Sequence, residues 1–235
     1  MNFLSLSKKN FSIVVKKNVF SPNLTTKLLL SEINNYSKNK KPFDKILDLG
    51  CGCGVIGIAL SKLGIAKNIY MSDISKKAVL NANYNLKKNK IVGEVKCGDA
   101  FDCWKNQKFD CIINDISAIS SELAKISPWF KNIPCRSGKD GTKLSISFLK
   151  QAKKYASKNA KIFFPTLSLS NEKKIFKFAK KKYKNVKLMN SIEWPLPKEI
   201  LNNKRIYYLK RKKLINFREI SGNIICKTSV YMIAL

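Results

Sequence analysis

The apolar run Lys45-Ile-Leu-Asp-Leu49 leads straight into Gly50-Cys-Gly-Cys-Gly54 and then into Val55–Leu63, whose apolar residues recur at helical spacing. A strand that ends in a glycine turn and opens a helix restricts the chain to few architectures, because that helix must pack back across the sheet that the strand joins. The alternation continues. Strands are predicted at Lys45–Leu49, Asn68–Ser72, Gly93–Cys97, Phe109–Asn114, Ala160–Pro165, Val186–Ile192 and Asn223–Ala234. Between them lie helices at Val55–Leu63, Ser75–Lys88, Gly141–Lys154, Asn171–Lys182 and Lys198–Lys212. Strands that alternate with helices in this way predict one α/β domain with a mainly parallel sheet over residues 42–235. Ahead of it, residues 1–41 are read as an extension: a hairpin of Phe11–Val15 with Lys17–Phe20, then an amphipathic helix, Leu24–Tyr36. The irregular stretch Asp115–Asp140, carrying Pro128, Trp129, Phe130, Pro134 and Arg136, follows the fourth strand. Ligands in open parallel sheets bind beyond the carboxyl ends of the strands, so this loop is placed to cover a substrate.

Composition removes whole classes of chemistry. With no histidine among 235 residues there is no Ser-His-Asp or Cys-His relay and no His-bearing zinc site. The seven cysteines (51, 53, 97, 103, 111, 135 and 226) are odd in number and irregularly spaced within apolar stretches. They read as reduced, buried thiols; Cys51-x-Cys53 has no second pair to complete a metal site. No apolar run approaches the ~18 residues of a membrane span. Lys8 and Lys9 interrupt the apolar start where a signal peptide needs continuity, so a cytoplasmic protein without membrane association is expected.

Two readings compete for the glycine turn. Gly52-x-Gly54-x-x-Gly57 satisfies a dinucleotide fingerprint, whereas Gly50-x-Gly52-x-Gly54 preceded by Asp48 fits a different cofactor turn. Asp73 closes the second strand, where both classes place an acid for ribose hydroxyls. Gly98-Asp-Ala-Phe101 then follows the third strand, and Phe109-Asp-Cys-Ile-Ile-Asn-Asp115 forms the fourth with an amide and an acid at its tip. Taken in order, this series over residues 44–115 resembles the class I S-adenosylmethionine-dependent methyltransferases. The resemblance implies a Rossmann-like sheet of seven strands whose last strand is antiparallel and inserted beside the fifth, with Val186–Ile192 at the edge. It implies S-adenosylmethionine as cofactor and no metal. Asp48 would sit near the methionine ammonium group, Gly50, Gly52 and Gly54 would form the turn, Asp73 with Ile74 would hold the ribose, and Asp99 with Ala100 the adenine. Charge agrees independently. Seven of the eight aspartates lie between positions 44 and 115, and a sulfonium cofactor without phosphate favours carboxylates around it.

Val19-Phe-Ser-Pro-Asn-Leu-Thr-Thr26 and Ser137-Gly-Lys-Asp-Gly141 are similar to segments of the small N-methyltransferase superfamily, which includes protein glutamine methyltransferases and tRNA and rRNA base methyltransferases. Pro22, Thr26, Asn114, Trp129 and Phe130 are the substrate-side candidates that follow from this likeness, with Asp115 as the catalytic one. One departure stands out. That superfamily carries Asn/Asp-Pro-Pro-Tyr/Phe at the fourth strand tip, and here the residues are Asp115-Ile-Ser-Ala118. A stacking ring, if there is one, must come from Trp129 or Phe130.

The net charge of +31 concerns the acceptor. Residues 171–220 hold sixteen Lys/Arg against four Glu, which suits RNA or a ribosomal or translation protein. Only four of the forty-six basic residues are arginine, however, and the abundance of Lys, Asn and Ile also fits compositional drift. A small-molecule acceptor, and a silent binding module with the same fold, stay open at this level.

Overall fold

A computed structural model describes residues 11–116, 118–133, 135–201 and 204–235. Its centre is an eight-stranded mixed sheet. In chain order the elements are α1 (Leu24–Ser37), β1 (Phe43–Leu49), α2 (Val55–Lys62), β2 (Ala66–Asp73), α3 (Lys76–Lys88), β3 (Glu94–Cys97), β4 (Phe109–Asn114) and the short α4 (Ser121–Ala124). There follow α5 (Lys143–Tyr155), β5 (Ala156–Leu167), α6 (Glu172–Lys182), β6 (Asn185–Pro195), α7 (Lys198–Leu201), α8 (Lys204–Arg211), β7 (Arg218–Ile220) and β8 (Asn223–Ala234). The strand order is β3-β2-β1-β4-β5-β8-β6, with β7 paired to β8. β1 to β5 run parallel, while β8 lies antiparallel between β5 and β6. This is the Rossmann-like sheet that the strand pattern and the family resemblance imply.

Helices cover both faces because the central strands are buried on both. Along β4 the residues Cys111, Ile112, Ile113 and Asn114 are all buried, the near-continuous apolar pattern of a parallel sheet. On one face Leu29 and Ile33 of α1, Ile56 and Leu60 of α2 and Ala82 and Leu86 of α3 pack on Ile46, Ile69 and Ile113. On the other, Phe148 and Ala152 of α5 and Ile175 and Ala179 of α6 pack on Leu47, Ile112 and Ile162. A third cluster lies under the loop after β4 and joins Ile119 and Leu123 to Leu196, Ile206, Leu209 and Phe217.

Two expectations change. Residues 11–20 form no hairpin. A tight turn with Asn18 at φ 63° is present, but residues 12–16 lie along α3 instead of pairing with the returning arm. The amides of Ser12, Val14 and Lys16 donate to Oδ1 of Asn89, Asn85 and Asn81 at 3.0, 3.0 and 2.8 Å. The same side chains donate Nδ2 to the carbonyls of Ser12 and Val14. Asparagines four residues apart on one helix face thus supply the donor-acceptor ladder that a neighbouring strand would otherwise provide. Of the helix expected over 198–212, the described residues carry helix at Lys198–Leu201 and Lys204–Arg211, and residues 202 and 203 lie outside the described ones. Finally, β7 was not anticipated; it is a three-residue exposed strand without apolar alternation. Pro134, Ser117 and residues 1–10 lie outside the described residues.

Candidate functional site

A cavity of about 350 Å³ opens at the carboxyl ends of β1, β2 and β4. One wall comes from Gly50, Gly52, Asp73, Ile74, Asp99 and Ala100. The facing wall comes from the start of α1 and the loop after β4, including Pro22, Thr26, Asp115, Trp129 and Phe130. Sequence-predicted residues from five separate segments therefore meet around one space.

The glycine turn is held by backbone geometry. Gly50 has φ +75°, and a Cβ there would lie 2.9 Å from Cγ1 and 3.0 Å from Cα of Ile116, so the turn closes against the β4 tip only with glycine. The amides of Gly50 and Cys51 both donate to the Ser72 carbonyl, at 2.9 and 3.1 Å, fastening the turn to β2. One residue on, Asp73 accepts from Gly52 N through Oδ2 at 3.0 Å and from Ser75 N through Oδ1 at 2.9 Å. Burial raises its pKa above the ordinary carboxylate value against those bonds. Ile74 beside it is 46% exposed, an apolar platform at the cavity edge, and Asp99 is exposed across from it.

Two further carboxyls sit at the strand ends. Asp115 lines the cavity and accepts from the Thr26 hydroxyl at 2.9 Å. Burial pushes it up to about 7, although the Thr26 bond acts in the opposite direction. Asp48 is fully buried behind the glycine turn; its Oδ2 accepts from Gly57 N at 3.2 Å and its Oδ1 has no hydrogen-bond partner among the described residues. Burial, then the charge of Asp115, pushes Asp48 up to about 8, with the Gly57 bond opposing. Around these groups the only basic lining residue among those described is Arg136, so three carboxylates face one guanidinium in a protein of net charge +31. Such a site suits a cationic ligand and disfavours a pyrophosphate.

Not every candidate reaches the wall. Asp48, Gly54 and Asn114 lie behind it. Gly54, at φ +81°, shapes the entry to α2; Asn114 is buried, accepts from Ile116 N at 3.2 Å, and leaves its Nδ2 without a partner among the described residues. Cys51 and Cys53 are free, and burial raises both thiols, Cys53 to about 12, so neither is a ready nucleophile.

The aromatic rings near the β4 tip come from other segments. Phe130 packs on Phe20 with centroids 5.3 Å apart, and Trp129 meets Trp194 edge-on at 5.9 Å. Trp194, at the end of β6, donates Nε1 to Thr228 Oγ1 at 2.9 Å, which fixes its plane. Phe20, Trp194 and Arg136 line the cavity but were not among the predicted site residues. Arg136 had a signal, as the lone arginine before position 205; Trp194 had none, because only the long-range pairing of β6 with β8 brings it there.

Comparisons agree with this geometry. Residues 10–115 match the methyltransferase small domain family. A release factor glutamine methyltransferase of Borreliella burgdorferi is 34% identical over 166 residues, covering 67% of this chain and 57% of the relative. A ribosomal RNA small subunit methyltransferase C of Haemophilus influenzae is 42% identical over 90 residues, 38% of this chain and 26% of the relative. The chain thus spans little more than half of the first relative and about a quarter of the second. Among solved structures, the Thermus thermophilus 16S rRNA N2 G1207 methyltransferase in complex with AdoMet and guanosine superposes with a TM-score of 0.57 at 12% identity, over 91% of this chain and 43% of that one. Residues 10–115 thus match the methyltransferase small domain, and over 91% of its length the chain carries the fold of that AdoMet-bound methyltransferase structure.

Proposed function

We propose that this protein is an S-adenosylmethionine-dependent methyltransferase acting on a component of the translation machinery. The observation that carries the reading is the acid-lined cavity beside the fixed glycine turn, in a chain that is otherwise strongly basic. The residues fit the cofactor. Asp73 presents a carboxylate next to the exposed Ile74, as a ribose and a base require, and Asp48 holds an unpartnered buried oxygen behind the turn, suited to a nearby ammonium. Gly50 and Gly52 admit the ligand close to the backbone, and Asp99 and Ala100 line the same cavity, suited to the adenine.

Bound there, the cofactor would supply a methyl group already activated on a sulfonium. The chain then has to align an acceptor lone pair with that carbon, exclude water and manage one proton. Phe20, Phe130, Trp129 and Trp194 exclude water on the acceptor side, while Pro22 and Thr26 bring the N-terminal extension over the cavity. Asp115, pushed up to about 7 and oriented by Thr26, accepts an acceptor N–H and takes its proton as the nitrogen becomes bound to carbon. No histidine is needed for this step. The names of the relatives, a release factor and a ribosomal RNA methyltransferase, support a translation-related acceptor. Among the described residues no helix is long and apolar enough to cross a membrane.

Asp115→Asn preserves size and the Thr26 contact while removing the base. Turnover is expected to fall by about 10²–10⁴ with cofactor affinity, measured by calorimetry, nearly unchanged. Full turnover by this variant would rule out the base role; absence of S-adenosylmethionine binding by the unaltered protein would overturn the methyltransferase reading itself.

A further inference from the structure

Residues 196–222, between β6 and β8, form a small unit of their own. Leu196, Ile200, Ile206, Leu209, Ile215 and Phe217 turn inward onto Ile119 and Leu123, so the unit is built on the loop that covers the cavity. It begins at the cavity rim, since Trp194 and Pro197 both line it. Its outward surface has a composition found nowhere else in the chain. Three of the four arginines (205, 211 and 218) lie here, and the fourth, Arg136, lines the cavity. α8 buries Ile206 and Leu209 and turns Lys204, Arg205, Tyr207, Tyr208 and Arg211 to solvent. Tyr207 and Tyr208 are 41% and 49% exposed; Tyr207 meets Phe217 edge-on at 5.7 Å, the Lys212 ammonium stands 5.8 Å over the Tyr208 ring, and the rest of both side chains is left to solvent.

Part of this charge is neutralised within the fold: Arg205 pairs with Glu122 and Arg218 with Glu193. Those pairs lock the unit onto α4 and β6. Lys204, at the start of α8, and Arg211, Lys212 and Lys213, at its end, are exposed and have no carboxylate partner among the described residues; Lys212 is the cation over the Tyr208 ring. Cations that the fold does not need for itself, interleaved with exposed aromatic rings, match a flexible polyanion with stackable bases. Arginine in particular suits phosphate and base planes, and the otherwise lysine-dominated chain places it here.

We propose that the 196–222 unit is an RNA-docking face, which binds a single-stranded segment along α8 and delivers its target base past Trp194 and Phe130 to Asp115. This rests on the methyltransferase reading and names its acceptor as RNA. The aromatic rings around the cavity take the place of the missing Pro-Pro-aromatic motif by stacking on the delivered base, and Arg136 meets the adjoining phosphate. Lys180, Lys181 and Lys182, at the end of α6 that leads into the start of β6, carry equal charge but no neighbouring arginine and serve as the control.

The test compares two triple reversals, Arg211→Glu/Lys212→Glu/Lys213→Glu and Lys180→Glu/Lys181→Glu/Lys182→Glu. All six positions are exposed, so both variants keep the buried faces of their helices intact. Binding of a labelled 20-nucleotide single-stranded RNA is titrated over a range of salt, and cofactor affinity is measured in parallel by calorimetry. The α8 variant should lose at least tenfold in RNA affinity and flatten the salt slope by about 2, the value for three lost phosphate contacts. The α6 variant should stay within about threefold, and both should bind S-adenosylmethionine as the unaltered protein does. Equal loss in the two variants would show a diffuse field and overturn the docking face. Methyl label entering only the protein fraction of a ribosomal extract, and not deproteinised rRNA, would overturn it in favour of a protein acceptor. Loss of the docking face with cofactor binding intact leaves the methyltransferase reading standing; loss of cofactor binding in the unaltered protein removes both.

Discussion

The two sides of the cavity are built on different principles. On the cofactor side and at the β4 tip the acids are buried: Asp48, Asp73 and Asp115 all titrate above the usual carboxylate range, chiefly because burial penalises their charge. Farther along the loop after β4 the acids are paired. Lys125 and Arg205 hold Glu122 below its usual range, and at Asp140 the Lys174 and Thr142 contacts outweigh the effect of burial. The cofactor side is shaped by backbone turns and short-range bonds, the acceptor side by a third core cluster joining residues nearly a hundred positions apart. A site whose ligand is fixed by chemistry is built locally, and one whose ligand sets specificity is assembled from distant segments.

One glycine on each side gives the largest contrast. Gly50→Ala sets a Cβ against Ile116 at a positive φ, and Gly141→Ala, at φ +72°, sets one 2.8 Å from the backbone of both Ile119 and Ser120. Each carries a strain of about 3 kcal/mol, the upper end for such positions. Gly50→Ala is expected to weaken S-adenosylmethionine binding about a hundredfold. Gly141→Ala should leave that affinity within about threefold and instead depress turnover, because it moves the loop after β4. Equal loss of cofactor binding in both variants would mean that the two sides are not separable.

The asparagine ladder is the next largest. Asn85 is fully buried; its Nδ2 donates to the carbonyls of Val14 and of Cys53 in the glycine turn, and its Oδ1 accepts from Val14 N. Asn85→Ala removes these bonds at about 2 kcal/mol in total, which should lower the unfolding midpoint by about 4–8 °C. Asn89→Ala, nearer the end of the ladder, should cost less. A midpoint shift in the reverse order would contradict a ladder centred on the glycine turn.

The same ladder shows where sequence reading stopped. Asp48, the glycine turn, Asp73, Asp99 and Asp115 were legible because each lies at a strand end, at the spacing that one βα unit imposes. Asn81, Asn85 and Asn89 were visible only as part of an asparagine-rich composition; their spacing of four was a signal, but its partner was a segment that pattern alone assigns to a hairpin. Trp194 and the 196–222 unit had no local signal. Their positions depend on β8 inserting between β5 and β6, a pairing that periodicity does not encode.

Titration separates the sides by a smaller factor. Asp48 and Asp115 keep their protons up to about 8 and about 7 in the fold, well above an unfolded carboxyl. The stability this contributes is complete below the ordinary carboxylate range and is lost as pH climbs through 7 and 8. The free protein should therefore unfold at lower temperature at pH 8.5 than at pH 5.5. A cationic ligand favours the ionised carboxyls, so affinity for S-adenosylmethionine should rise about tenfold from pH 6 to pH 8, roughly the effect of freeing one carboxylate. Asp48→Asn should flatten both trends. A cofactor affinity independent of pH over this range would show that neither carboxyl senses the bound charge.

The smallest effect is the most local. Thr26, from the first turn of α1 as capped by Asn23, donates to Asp115 Oδ2, the one side-chain bond that lowers this carboxyl against its burial. Thr26→Val keeps the shape and removes the donor, so Asp115 holds its proton to still higher pH. If Asp115 is the base, the rising limb of the turnover profile then moves to higher pH, and the rate at pH 7 falls by no more than about tenfold. Turnover on the high-pH plateau should be nearly unaltered, because the carboxylate, once ionised, still faces the acceptor. Thr26→Ser restores the donor and should restore the limb. A uniform drop across the pH range, not rescued by serine, would instead assign Thr26 to packing between α1 and β4, and the acceptor side would then begin at Asp115 itself.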